Sequence, residues 1–309
     1  MHSALHDLAE WRRLSSTQRT EAAVQIQPQL PKGMEFVGIE TCAAAELAMY
    51  EHPTGKFMLI PGGNVELGFD VARFTPSVGQ RESYESMLEE YTGMPPILDY
   101  MRMFMTPIRQ VTIAPLLAAV CYEPVSRRAV YSGDPLFPPP ESWPARSGFI
   151  VFGDRSVHAQ ITYGAIPSST HRQLTESYLA DGFSLPTSDE WEYLCGAGVR
   201  TLFRWGDECP CDSLPGGGNS YESTWEVYRR PNAFGLYIAG QVYHREIVSE
   251  SGIERGGDGG STICGGMPSF LSWLMLAPAY EGPWNKANLP NDAELDVSGW
   301  FARRIVRII

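Results

Sequence analysis

Thiols and imidazoles are the side chains of this sequence best suited to chemistry. Six cysteines stand at 42, 121, 195, 209, 211 and 264, without the regular spacing of a disulfide framework. Cys264 follows the glycine-rich run Arg255-Gly256-Gly257-Asp258-Gly259-Gly260. A thiolate there is a nucleophile or a soft-metal ligand, whereas a cysteine taken alone reads as a small buried hydrophobe. His244 is the best-placed imidazole to complete a transition-metal site with it, with His158 and His171 as further options. Cys209-Pro210-Cys211 sets two thiols on either side of one residue. No second C-x-C or C-x-x-C pair supplies the other half of a tetrahedral site, so an exposed loop is the expectation. The glycine-rich run is not a phosphate loop, because it lacks the G-K-[ST] ending and the strand-to-helix setting.

The elements that must position these groups are short. Apolar residues make up 43% of the 309 and charged residues 19%, a globular balance. The 30 glycines and 24 prolines punctuate the chain too often for long helices. An irregular, loop-rich α+β fold follows. Net charge is −12 with no Lys/Arg cluster, which argues against nucleic acid and against an anionic membrane surface as partners. A protein partner or a small ligand is expected instead. No apolar run has the length of a signal peptide or a membrane span, so the expectation is reduced thiols in a cytoplasmic protein.

Leu5, Leu8, Trp11 and Leu14 recur at helical spacing and predict one amphipathic helix over 2–25, ended by Pro28 and Pro31. Phe57 to Asp70 reads as two strands joined by a turn at Pro61-Gly62-Gly63. Residues 79–104 carry helical periodicity broken at Pro95-Pro96, and 108–120 reads as a strand running into a short apolar segment. Five prolines in 132–146 predict an extended surface loop. Thr187 or Ser188 caps a helix that Gly196 and Gly198 should stop.

Five blocks in order carry a resemblance. Leu185-Pro186-Thr187-Ser188-Asp189-Glu190-Trp191-Glu192-Tyr193 is followed by Trp205-Gly206-Asp207, Pro231-Asn232-Ala233-Phe234-Gly235-Leu236-Tyr237, Gly259-Gly260-Ser261 and Gly299-Trp300-Phe301. Phe57 to Gly68 and Pro107 to Val125 match upstream, more loosely. This series resembles the formylglycine-generating-enzyme (sulfatase-modifying-factor) family, most clearly over 183–301. The resemblance implies a C-type-lectin-like fold, with 1–33 as an N-terminal helical arm and 34–309 as the family domain. Segments at about 79–104 and 128–150 read as insertions.

In that family two cysteines five residues apart bind copper and oxidise a substrate thiol. The first falls on Cys264, but the second falls on Ser269, a hard and weakly acidic hydroxyl. Phe270, Leu271, Ser272, Trp273 and Leu274 replace the aromatic and arginine residues that follow. The family's calcium ligands fall on a shortened run, Ile238 to Arg245, where Gln241 and His244 replace an Asn and a Glu; calcium is not expected. These departures point to a non-catalytic binding or assembly module. The alternative is a copper- or iron-dependent oxidase acting on a thiol or other small substrate through Cys264, with His244 as a ligand. Tyr91, Tyr100, Met103 and Trp273, with Met94, Met101 and Phe104, are the candidate binding surface.

Overall fold

The computed structural model describes residues 3–86, 88, 91, 93–125, 169–215, 225–281, 295 and 299–308, and the backbone alone of 127–130, 151–153 and 160–165. The proline-rich loop at 132–146 and most of the segment 128–150 lie outside the described residues, as does His158.

Local capping divides the N-terminal segment. A 3-10 turn at Ser3–His6 precedes α1 (Leu8–Arg13) and α2 (Ser16–Ile26), where the spacing predicts one helix. Asp7 accepts the N–H groups of Ala9 and Glu10, and Ser15 forms a reciprocal capping box with Gln18. Each cap satisfies N–H groups that a continuous helix would use differently, so Leu14 between them is extended. Both helices lie against the chain's first sheet. Trp11 is fully buried and donates its indole N–H to the Glu46 carbonyl at 2.8 Å, and the Tyr50 hydroxyl donates to the Ala23 carbonyl.

β1 (Glu35–Thr41), β2 (Glu46–His52) and β3 (Gly55–Ile60) form an antiparallel meander. The turn after β3 does not close the expected hairpin. β4 (Gly63–Leu67) leaves the sheet and pairs instead with β5 (Arg109–Ile113). Gly62 shows why: a side chain there would lie 2.2 Å from the Ile113 carbonyl oxygen, so the crossing chain runs hard against the next strand. Between β4 and β5 come α3 (Val78–Glu85) and α4 (Ile97–Phe104), separated at Pro95-Pro96 as the sequence predicts.

β6 (Leu116–Ala119) is apolar and buried throughout because it lies inside the first sheet. Short strands β7 (Glu123–Pro124), β8 (Arg127–Val130), β9 (Val151–Gly153) and β10 (Gln160–Ala165) follow, the last three forming a small antiparallel sheet. Then come α5 (His171–Ala180), α6 (Ser188–Gly196), β11 (Arg245–Ile247), β12 (Glu254–Gly256), α7 (Ser261–Cys264), α8 (Ser269–Leu274), β13 (Trp300–Ala302) and β14 (Ile305–Arg307). The first sheet runs β1-β2-β3-β6-β14, and a four-stranded sheet runs β12-β11-β13-β7. The fold is a loop-rich α+β arrangement, as composition predicts. Among the described residues, no helix is long and apolar enough to cross a membrane.

Two apolar cores result. One surrounds the five-stranded sheet and α6; the other gathers α3, α4, α8 and the aromatic loops around Phe203 and Tyr228. Of the two expected caps it is Thr187 that starts α6, through a capping box with Glu190 that the expectation did not include. The stop differs: Gly196 stays helical and Ala197 takes the left-handed conformation at φ 49°.

Glu192, on α6, joins the surrounding elements. One carboxylate oxygen accepts the Gly68 N–H at 2.5 Å; the other accepts Thr106 Oγ1 at 3.0 Å and the guanidinium groups of Arg109 and Arg255, each at 2.9 Å. Arg255 is fully buried and also donates to Ser188 and to the Tyr280 carbonyl. Removing the carboxylate leaves a desolvated cation short of its counter-charge. We therefore expect Glu192→Ala to cost about 3–5 kcal/mol, read as a lower urea midpoint at unchanged slope. A loss within the scatter of surface substitutions would show that Glu192 does not hold these elements together.

Candidate functional site

The glycine-rich run is built for close packing. Gly259 and Gly260 have φ of 73° and 83°, and side chains there would meet the Arg245 guanidinium at 2.6 Å and the Tyr243 ring at 2.2 Å. Asp258, fully buried, accepts the Gly260 N–H, the Thr262 N–H and the Thr262 hydroxyl, each at 2.8 Å. These bonds start α7, which ends at Cys264. The thiol is exposed, against the reading of a lone cysteine as a buried hydrophobe. A helix of four residues turns Thr262 inward and leaves its last side chain outside. Ser269 opens α8, and Phe270 to Leu274 are all buried in the second core.

His244 is engaged elsewhere. Its Nδ1 is 2.8 Å from the Tyr122 hydroxyl, and its ring stacks on Phe301 with centroids 4.0 Å apart. Burial pushes its pKa down to about 4, so the ring is neutral near pH 7. His171 Nε2 is 2.8 Å from the Val248 carbonyl. Glu246, two positions after His244, is buried against Arg303, with Arg303 Nε 3.1 Å from its Oε2. Among the described residues no group of three or more His, Cys, Asp or Glu side chains is arranged to hold a metal ion. One exposed thiol and one hydroxyl do not make the donor set of a two-thiolate copper centre.

The expected binding surface divides by helix face. Tyr100 and Met101 are buried, Tyr100 packing on Tyr84 and Phe104. Tyr91, Met94 and Phe104 are partly buried against the second core. Met103, at the margin of that face of α4, is 63% exposed. Trp273 is fully buried and donates its indole N–H to the Ser213 carbonyl at 2.8 Å. It packs among Trp205, Trp225 and Tyr228, so it offers no surface to a partner. The Cys209-Pro210-Cys211 segment is likewise not a free loop, since Cys209 is buried in the second core and Cys211 is half-buried.

Two features escape sequence reasoning. The first is a cleft of about 380 Å³ lined by the Gly62–Gly68 segment, Gly196 to Leu202 and Pro278-Ala279, with Glu192 on its wall. The Arg200–Glu66 ion pair lies at this cleft and at a second one beside it. Its legible signal was the glycines at 62, 63, 68, 196 and 198, all of which line it. The second is a buried polar group around Arg245. Arg245 lies over the Trp300 ring at 4.5 Å, with Nη1 3.4 Å from Glu254 Oε2. Glu254 Oε1, Arg245 Nε and Trp300 Nε1 find no partner among the described residues. Burial outweighs Arg245 and pushes the Glu254 carboxyl up to about 7. Neither Arg245 nor Glu254 stood out in the sequence, where they are 9 residues apart and meet only across the β11–β12 pair. Perturbed, half-satisfied groups of this kind gather at functional sites and also in structural networks.

No family model and no curated protein matches the sequence. Among solved structures the chain is similar to PvdO from Pseudomonas aeruginosa at 15% identity and a TM-score of 0.34, over 82% of this chain and 95% of that one. Likeness at that level carries no argument about activity.

His244 and Glu254 give opposite pH dependences. The depressed histidine contributes stability above its ordinary value of 6.5 that is lost as pH falls toward about 4. The raised carboxyl contributes stability below its ordinary 4.5 that is lost as pH rises through about 7. The two windows overlap and the contributions offset, so we expect His244→Gln to turn the slope of urea midpoint against pH downward between about 4.5 and 7, and Glu254→Gln to turn it upward over the same range. Profiles identical to that of the unaltered protein would contradict both assignments.

Proposed function

We propose that this chain is a divergent protein of the formylglycine-generating-enzyme type, with the C-type-lectin-like fold of that family. It serves as a non-catalytic binding module. The observation that carries the reading is the fate of the two copper-ligand positions. Cys264 projects from α7, Ser269 supplies a hydroxyl, and the residues after it are committed to core packing. His244, the candidate additional ligand, is held by Tyr122 and Phe301.

Support for the resemblance comes from what the shared blocks do. Trp191, Tyr193, Asn232 and Phe234 are all buried structural residues. The Asn232 amide donates to the Leu194 and Cys195 carbonyls, and its oxygen accepts the Phe234 and Leu236 N–H groups. The scaffold blocks are thus retained for folding while the chemistry-bearing positions differ. A cleft of about 380 Å³ falls within the range of small-molecule sites, about 300–1,000 Å³, and a small ligand seated there fits a module that binds.

Metal analysis of the purified protein, paired with thiol-dependent oxygen consumption, tests the reading. The expected result is neither stoichiometric copper or iron nor oxygen uptake. Stoichiometric metal that disappears on Cys264→Ser would overturn the binding-module reading in favour of the oxidase. On the proposed reading Cys264→Ser changes folding stability by no more than about 0.5 kcal/mol, as for other exposed positions.

A further inference from the structure

Cys209 and Cys211 belong to none of the chemistry above, yet their side chains converge. The two Sγ atoms are 3.7 Å apart, and Cys211 Sγ is 3.5 Å from the Cys209 carbonyl. Pro210 between them fixes its own φ and stiffens the link. Cys209 is buried in the second core, where Gln80 Nε2 approaches its sulfur at 4.0 Å and donates to the Asp207 carbonyl at 2.8 Å. Cys211 is half-exposed and packs toward Gly79 in the first turn of α3. One thiol is therefore reachable from solvent and the other waits behind it.

We propose that Cys209 and Cys211 are a redox dithiol that closes to an intrachain disulfide by exchange with a low-molecular-weight disulfide of the glutathione class. Cys211 is the attacking thiol. Its hydrogen bond with Cys209 pulls it below the ordinary thiol range, against burial and the nearby Glu208 and Asp212, while the same bond and burial hold Cys209 up as the protonated partner. The Cys211 thiolate attacks one sulfur of the glutathione disulfide. That S–S bond breaks, and the departing glutathione thiolate takes up a proton. Cys209 then gives its proton to solvent and attacks Cys211 Sγ, expelling the second glutathione as a thiol. The protein loses two hydrogens and two electrons, and one glutathione disulfide becomes two thiols. Closure brings the sulfurs from 3.7 Å to about 2.05 Å. A ring closed across one residue is small, and exposed or strained bonds of this kind reduce readily.

The sequence provides a clean readout. Trypsin cleaving after Arg204 and Arg229 releases residues 205–229, which hold Cys209 and Cys211 and no other cysteine. The whole chain is equilibrated in mixtures of reduced and oxidised glutathione, quenched with acid, alkylated with N-ethylmaleimide, digested and weighed. The expected result is joint loss of both alkylation sites as the mixture becomes oxidising, giving an unalkylated peptide two hydrogens lighter. Cys209→Ser should stop at a glutathione adduct on Cys211. The exposed Cys264 serves as the internal control for reagent access. A wild-type peptide that stays doubly alkylated while Cys264 carries glutathione would overturn the proposal. So would a persistent glutathione adduct on Cys211 in the wild type, or a cross-link from Cys211 to another cysteine. The wild-type measurement decides the matter even where Cys209→Ser fails to fold.

Discussion

A charged group taken out of water has to be matched on the spot, because transfer to a low-dielectric interior costs several kcal/mol for each ion. Glu192 and Arg255 are both in that position, 3% and 0% exposed at the side chain. Their pairing is completed by Arg109, Thr106, the Gly68 amide, Ser188 and the Tyr280 carbonyl, groups that run from residue 68 to residue 280 of the sequence. Each of these segments is held where it is because leaving would strand a buried charge. Neither β4, α6 nor β12 is long enough to define its own place by ladder hydrogen bonds, so this exchange of charge substitutes for regular structure.

The same logic recurs away from α6. Arg303 is fully buried, binds both oxygens of Glu246 and donates to the Tyr237 carbonyl. It thereby ties the β13–β14 turn to β11 and to the loop before it. Asn232 uses its whole side-chain amide on four backbone groups. In a chain rich in glycine and proline, buried polar side chains do the satisfying that helices and sheets do elsewhere. Large aromatics fill the gaps between loops, as in the group formed by Phe203, Trp205, Trp225, Tyr228 and Trp273.

On this frame the groups that could carry chemistry are placed by different elements. Cys264 leaves the surface at the end of α7, His244 is clamped between Tyr122 and Phe301, and Cys209 with Cys211 sits against α3. The cleft beside Glu192 borrows its wall from the charge network, so the residue that holds the fold also shapes the cavity. A binding role asks for a rigid wall of this kind, whereas two-thiolate metal chemistry asks for donors that Ser269 does not provide.

Much of the fold was legible in the residues. Helix capping is local, so Thr187 or Ser188 marked the start of α6, and Pro95-Pro96 marked where α4 begins, because both effects act over a few bonds. The α+β, loop-rich character followed from glycine and proline content alone. Tertiary structure decided what depends on distant neighbours. Val65 and Leu67 alternate as in a hairpin, but Ile113 packs so close to Gly62 that the strand joins β5 instead. Arg255 is buried because its counter-charge arrives from Glu192, a residue 63 positions away that no local rule connects to it. For Cys264 the sequence left a buried hydrophobe and a reactive thiol both open, and it is exposed; Trp273, a candidate binding residue, is buried, since a few residues of α7 and α8 can turn either way. Short-range rules describe where an element begins and ends; which side faces inward is set by what packs against it.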